Sequence, residues 1–317
     1  MTAAMPPDDP TGLAGRIVRD ELGERVVRIE PLTGGYVART FRVDLADRSV
    51  VIRLLHGVPD PFAADVAIGS LVAGTGIPVP DLLGQGERDG WHYVISAFAP
   101  GQNADRLPPD RASALLPVLV GTMNAIHRVD VAGTSGYGWI GPGGAGRSAS
   151  WLEHIATTFD DATPGYWQGW RDELAPSRLD WDRFAMLHDA MLLLLDRCPK
   201  GRWLVHGDYG FGNVLVHERR ITAVIDWSNA RFGDFMWDIA WLRFWTTAGE
   251  LTEPLRRLAR PGGAAIPAFD ERLACYQLVI GMDALRVFAR QDSAEAYEWA
   301  TRRVLDVLAS LPSLPPR

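Results

Sequence analysis

The chain has 317 residues, 47% of them hydrophobic, enough to bury a large core as one domain or two. A net charge of -7 and a pI near 5.5 argue against a partner bound through a phosphate backbone and are compatible with a cationic one. The two cysteines, Cys198 and Cys275, lie in no Cys-x-x-Cys or Cys/His cluster, so no zinc or redox site is evident and both read as buried, inert thiols.

Residues 1–10 carry acids and prolines where a secretory leader needs a basic end and an apolar run. The longest apolar run, 190–195, is too short to cross a bilayer, so the expectation is a cytoplasmic protein with no membrane partner. Residues 11–22 predict a first helix, with Thr11 as N-cap and Leu13, Ile17 and Val18 on one face. Strands are predicted over 26–29, 40–43 and 50–54, with Gly34-Gly35 turning between the first two, and a helix over 61–73. Residues 81–86 and 91–98 form a hairpin across Asp89-Gly90, completing five strands.

After Ser96-Ala-Phe-Ala-Pro-Gly101 the character becomes helical, and a domain boundary is placed at 101/102. A long helix is predicted over 111–127 with a kink at Pro117. Gly141-Pro-Gly-Gly-Ala-Gly146-Arg147-Ser148 is a near match to a phosphate-binding loop with Arg in place of Lys. The stretch before it, Gly136-Tyr-Gly-Trp-Ile140, is too glycine-rich for the buried strand such a loop requires, and the reading is a surface loop that could contact substrate. Ser150 and Glu153 fit a capping box, starting a helix near Trp151. Further helices are predicted over 180–197, 235–245, 269–290 and 293–311. Trp237, Trp241 and Trp245 recur at helical spacing, first of all the signature of a buried stripe.

The informative stretch is 204–227. Residues 214–216 and 222–225 are short, β-branched strands around a charged turn, and closing that hairpin brings Asp226 back to the glycine-rich loop carrying Asp208 and Asn213. Two carboxylates and an amide oxygen are the hard donors Mg²⁺ accepts when phosphates and water supply its other ligands. In phosphoryl transfer a loop Asp orients the attacking hydroxyl, a following Asn holds a metal, and an Asp after the next hairpin holds the metal bridging the phosphates. Asp208, Asn213 and Asp226 fit these roles in that order. The plain alternative, Asp and Asn capping turns, does not account for the ordered strand, loop, hairpin and Asp. His206 reads as a packing residue that holds the loop.

The pattern His206-x-Asp208-x-x-x-x-Asn213 followed by Ile225-Asp226-Trp227 resembles the aminoglycoside phosphotransferase family, a branch of the kinase-like fold. The resemblance implies an α+β, bilobal architecture: residues 1–101 as a nucleotide-binding lobe with a five-stranded antiparallel sheet and a helix, and 102–317 as a mostly helical catalytic lobe. It implies Mg²⁺ and ATP or GTP, with Gly34 and Gly35 covering the phosphates and Ala97 and Ala99 at the adenine hinge. The only lysine is Lys200, far from the third strand, so Arg53 must replace the phosphate-binding Lys, and Asp65 on the next helix is its candidate partner. Asp234 or Asp238 is expected to tie down the catalytic-loop backbone.

Further stretches, among them Val51-Ile-Arg53, Thr134-Ser-Gly-Tyr-Gly138 and Phe232-Gly-Asp234, resemble family members acting on hygromycin-type aminocyclitols. Asn229, Asp238, Trp241 and Trp245 are the substrate candidates this implies. Gly207, Gly212 and Trp241 depart from those members and alter the pocket. The expectation is an antibiotic O-phosphotransferase, a monomer or weak dimer with no nucleic-acid partner. A kinase of another natural product such as a nucleoside antibiotic, a catalytically dead nucleotide-binding protein and a metal-dependent hydrolase are the alternatives.

Overall fold

Asp9, not Thr11, starts the first helix. Its Oδ1 accepts the Gly12 amide at 2.8 Å, and Pro10, which has no N–H to satisfy, takes the first helical position of α1 (Pro10–Leu22). The computed structural model describes residues 9–32, 38–58, 61–162, 166–246, 251–259 and 265–311. Its chain falls into two compact units: one takes residues up to Leu115 with Ile140–Ala145 and Phe211–Asn229, the other Leu116–Trp139, Gly146–Gly210 and the chain from Ala230. The sequence predicts one boundary near 101, whereas the chain leaves the first unit between Leu115 and Leu116 and returns to it twice.

In the first unit, β1 (Arg28–Pro31), β2 (Arg39–Asp44), β3 (Ser49–His56), β4 (Leu82–Arg88) and β5 (Trp91–Ala97) form an antiparallel sheet in the order β1-β2-β3-β5-β4. Asp89 and Gly90 both have positive φ, the geometry of a two-residue hairpin turn. Strand alternation sends Val50, Ile52 and Leu54 to one face, where they are buried with Leu13, Ile17 and Val18 of α1. Each such side chain contributes about 1.5–3 kcal/mol of burial. The same alternation sends Arg53 to the other face, toward α2 (Ala63–Leu71). The chain then makes the two-residue strand β6 (Gln102–Asn103) and a 3₁₀ turn, Ala104–Arg106.

The long helix α3 (Pro109–Ile126) runs through Pro117, which is exposed, so water can reach the carbonyl its missing N–H leaves unpaired. One expectation is overturned at 136–140. Tyr137–Ile140 is a strand, β7, and with β8 (Gly146–Ser148), β9 (Trp203–Val205) and β12 (Arg231–Gly233) it forms a sheet in the order β8-β7-β12-β9. Its glycines serve packing: Gly138 has φ +71°, and a Cβ there would stand 2.4 Å from the buried His154 ring.

Ser150 caps α4 (Trp151–Ala156) as expected, accepting the Glu153 amide at 3.1 Å, while the Glu153 carboxylate takes the Ala149 amide. The helices α5 (Trp170–Leu174), α6 (Trp181–Leu195), α7 (Met236–Trp245), α8 (Thr252–Leu258), α9 (Phe269–Arg290) and α10 (Ala294–Ala309) complete the second unit. In the first unit, β10 (Val214–His217) pairs with both β11 (Arg220–Val224) and β6. No helix among the described residues is long and apolar enough to cross a membrane.

Candidate active site

Arg53 and Asp65 form a two-pronged ion pair at 3.0 and 3.1 Å, the partnership expected from the sequence. Phe62 lies under the guanidinium, 5.0 Å from ring centre to carbon. Burial pushes the Asp65 carboxyl above its ordinary range; Arg53 opposes that shift and the nearby Asp226 charge adds to it. Asp65 thus holds the guanidinium fork while leaving its cation on the sheet face away from the core.

Gly34 and Gly35 lie outside the described residues. At the expected hinge, the Ala97 N–H already donates to Asp81 O at 2.8 Å, so contact with an adenine edge must come through its carbonyl. The Ala99 amide makes no hydrogen bond among the described residues.

Asn213 ends a short 3₁₀ turn, Phe211–Asn213, and the β10–β11 hairpin returns the chain so that the Ile225 amide donates to Asn213 O at 2.9 Å. Closure therefore sets Asn213 beside the residue preceding Asp226. Asp226 has φ +61°, a left-handed conformation that Asp tolerates better than most residues, and is half-buried. Ser228 Oγ donates to its Oδ1 at 2.9 Å. Asn229, half-buried, ends the turn Trp227–Asn229. The oxygens fit magnesium: one carboxylate and one amide, the small protein contribution Mg²⁺ takes when phosphates complete its shell. Among the described residues no group of three or more His, Cys, Asp or Glu could form a protein-only cage.

In the second unit, β9 leads into the loop carrying Asp208. Asp238, fully buried, accepts the His206 amide at 3.0 Å, the Gly207 amide at 2.8 Å and the His127 ring at 2.9 Å. Burial alone would raise its carboxyl, but the hydrogen bond and charge of His127, with His206 and the Gly207 amide, outweigh that and hold it below its ordinary range. Trp237 Nε1 donates to Gly207 O at 3.1 Å, and Tyr209 Oη to Leu119 O at 2.8 Å. His206 is fully buried, a packing residue as expected. Asp208 itself is half-buried, on a backbone fixed on both sides.

The expectation that Asp238 touches substrate is therefore overturned. Its carboxylate is enclosed and occupied by the loop, the structural role the sequence left open between Asp234 and Asp238. Asp234 holds Arg272 at 2.9 Å, Tyr276 Oη at 2.7 Å and the Met236 amide at 3.1 Å. Of the tryptophan stripe, Trp237 is buried, Trp241 half-buried, and Trp245 is 37% exposed, its ring stacked on Trp299 at 5.3 Å. The last two stay available as a substrate wall.

Sequence reasoning missed three groups. His127 lies 111 residues from Asp238, with no local signal linking them. Arg231 is buried against Trp237 and Trp139, at 4.3 and 5.3 Å; burial lowers its pKa to about 10 despite the charges of Asp238, Asp283 and Asp208. A basic residue soon after Ile225-Asp226-Trp227 was its only signal. Asn103, the third, donates to Gly212 O of the loop preceding Asn213.

A model of the phosphotransferase enzyme family matches residues 28–276. The chain is 33% identical over 273 residues to hygromycin-B 4-O-kinase of Escherichia coli, spanning 86% of this chain and 78% of that protein. Aminoglycoside phosphotransferase APH(4)-Ia superposes with a TM-score of 0.80 at 29% identity, covering 96% of this chain and 100% of that one. A thermostable mutant of APH(4)-Ia in ternary complex with AMP-PNP and hygromycin B gives 0.78 at 29% identity, covering 93% and 98%.

Proposed function

We propose that this chain, which belongs to the phosphotransferase enzyme family, transfers the γ-phosphoryl group of ATP or GTP to a hydroxyl of a hygromycin-type aminocyclitol, inactivating the antibiotic in the cytoplasm. What carries the reading is the arrangement in the first unit: a paired Arg53–Asp65 fork with the charge of Asp226 nearby, and Asn213 bound to the residue before Asp226. These groups suit a nucleotide with its metal. The likeness to hygromycin-B 4-O-kinase supports the acceptor.

Arg53 binds nucleotide phosphate oxygens, its fork aligned by Asp65. Asn213 and Asp226 would hold Mg²⁺, which supplies neutralisation of the phosphate charge during transfer. Asp208 accepts the hydrogen bond of the acceptor hydroxyl and takes its proton as the new O–P bond forms and the bond to the leaving phosphate breaks. The loop fixed through Asp238 keeps that carboxylate in position without reorganisation at the moment of transfer. Trp241, Trp245 and Asn229 shape the acceptor side.

The test is the purified chain with Mg²⁺ and ATP or GTP, offered hygromycin B, other aminoglycosides and a nucleoside antibiotic. Mass spectrometry would read one added phosphate on hygromycin B. Phosphate released only to water would favour a hydrolase, transfer only to a nucleoside would move the acceptor class, and absence of nucleotide turnover would leave a binding protein.

A further inference from the structure

We propose that Asp105 is a specificity-determining residue that binds an ammonium group of the acceptor beside Asn213; this rests on the phosphotransferase reading and names what in the acceptor is recognised. The segment carrying Asp105 is fastened to the metal-loop hairpin. Thr222 Oγ1 donates to Pro100 O at 2.6 Å, β6 pairs with β10 through Gln102 opposite Val216 and Asn103 opposite Leu215, and the Asn103 side-chain Nδ2 donates to Gly212 O. Gly101, with φ +126°, passes so close to β10 that a Cβ would stand 2.6 Å from Val216 O. Ala104 is fully buried and pins the turn.

Asp105 is thereby held over the bare backbone of Gly212, the residue before Asn213. Its Oδ2 lies 3.6 Å from the point where a Cβ on Gly212 would be, the one atom within 4 Å of that point among the described residues other than Gly212 and its chain neighbours. The carboxylate borders space that a side chain at 212 would fill. It is exposed and makes no ion pair among the described residues, not even with the adjacent Arg106. A positioned carboxylate without a protein cation, over the residue that precedes Asn213, suits an amine brought by the ligand through a charge-assisted hydrogen bond. Nucleotide phosphates would be repelled there.

The experiment measures steady-state kinetics of wild type, Asp105→Asn and Asp105→Glu with hygromycin B and with its N-acetylated form. Expected for Asp105→Asn is an acceptor KM raised roughly tenfold, equal to about 1.4 kcal/mol, with kcat and nucleotide KM unchanged. Asp105→Glu should retain most of the acceptor affinity, and the asparagine variant should discriminate less between the amine and its acetylated form. An unchanged acceptor KM in Asp105→Asn, or an effect on nucleotide KM instead, overturns the proposal. A wild-type chain that phosphorylates no aminoglycoside overturns the functional reading, and this inference with it. Wild-type kinetics in Asp105→Asn, on an acceptor the wild type does turn over, removes this inference alone.

Discussion

Asp238 and Asp226 are aspartates in neighbouring stretches of chain, and they have opposite surroundings. Asp238 is fully buried and has two backbone amides and a histidine ring as partners. Asp226 is half-buried, in a left-handed backbone, with a serine hydroxyl on one oxygen and the repelling charge of Asp65 nearby. Enclosure with complete pairing makes a carboxylate part of the scaffold; partial exposure with a like charge beside it leaves one ready for a cation. The residue type does not separate these roles, and burial does.

The largest expected effect belongs to the acid between them in role. Asp208→Asn should lower kcat by about 10²–10⁴-fold, the usual contribution of a positioned base, while nucleotide binding and melting temperature stay near wild type. Asp238→Ala should show the reverse pattern. It leaves the His206 and Gly207 amides and the His127 ring unpaired in the interior, so denaturant titration should show a loss of about 3–5 kcal/mol. A full loss of turnover in Asp238→Ala with unchanged stability would place Asp238 with the chemistry after all.

Asp226→Asn keeps a side chain that tolerates the left-handed backbone and removes the charge. Calorimetry should show Mg²⁺-dependent nucleotide binding lost, with a melting temperature no lower than wild type, because Asp65 is relieved of a like charge. The smallest effect is at Arg53. Losing a charge-assisted bond of about 1.5–3 kcal/mol, Arg53→Ala should raise nucleotide KM roughly tenfold or more, and Arg53→Lys less.

The stability of Arg53→Ala should depend on pH. The folded-state pKa of Asp65 is raised above its ordinary 3.8, so the fold favours the protonated form, and the advantage it gives is fully present below 3.8 and is lost as pH rises through the folded value. Arg53 lowers that folded value, so removing it pushes the value higher still. The variant's deficit in melting temperature should be absent near pH 3.8 and open as pH rises, whereas a deficit independent of pH would mean that Asp65 does not feel the guanidinium.

What the sequence makes legible is what short spacing controls. The Arg53–Asp65 pair joins a strand to the helix that follows it, 12 residues apart, and the loop, hairpin and Asp226 follow one another directly. Helix α9 runs over the predicted residues because its apolar period is long and unbroken. Illegible were contacts closed by distant chain. Strands β6, β9 and β12 are two or three residues long, too short for alternation to register. At strand β7 the glycines hide the alternation, Gly138 being required by the His154 ring and Gly136 by the Gly146 backbone, both brought by later chain. At the first helix two capping residues stood two positions apart, and the proline after Asp9 decided between them.

The pairing of β6 with β10 also sets a schedule for synthesis. Beside that pairing, the Asn103 side-chain Nδ2 has its partner at Gly212 O, 109 residues later. At ordinary elongation rates that interval is roughly 5–20 s. During it the five strands of the first sheet are already made while the segment carrying Asp105 still has no strand to pair with. The β10–β11 hairpin therefore finishes the unit begun at the other end of the chain, and no cut after residue 101 or 115 yields that unit whole. A ribosome-stalled series should show protease resistance of residues 100–106 appearing only once residue 224 has cleared the exit tunnel.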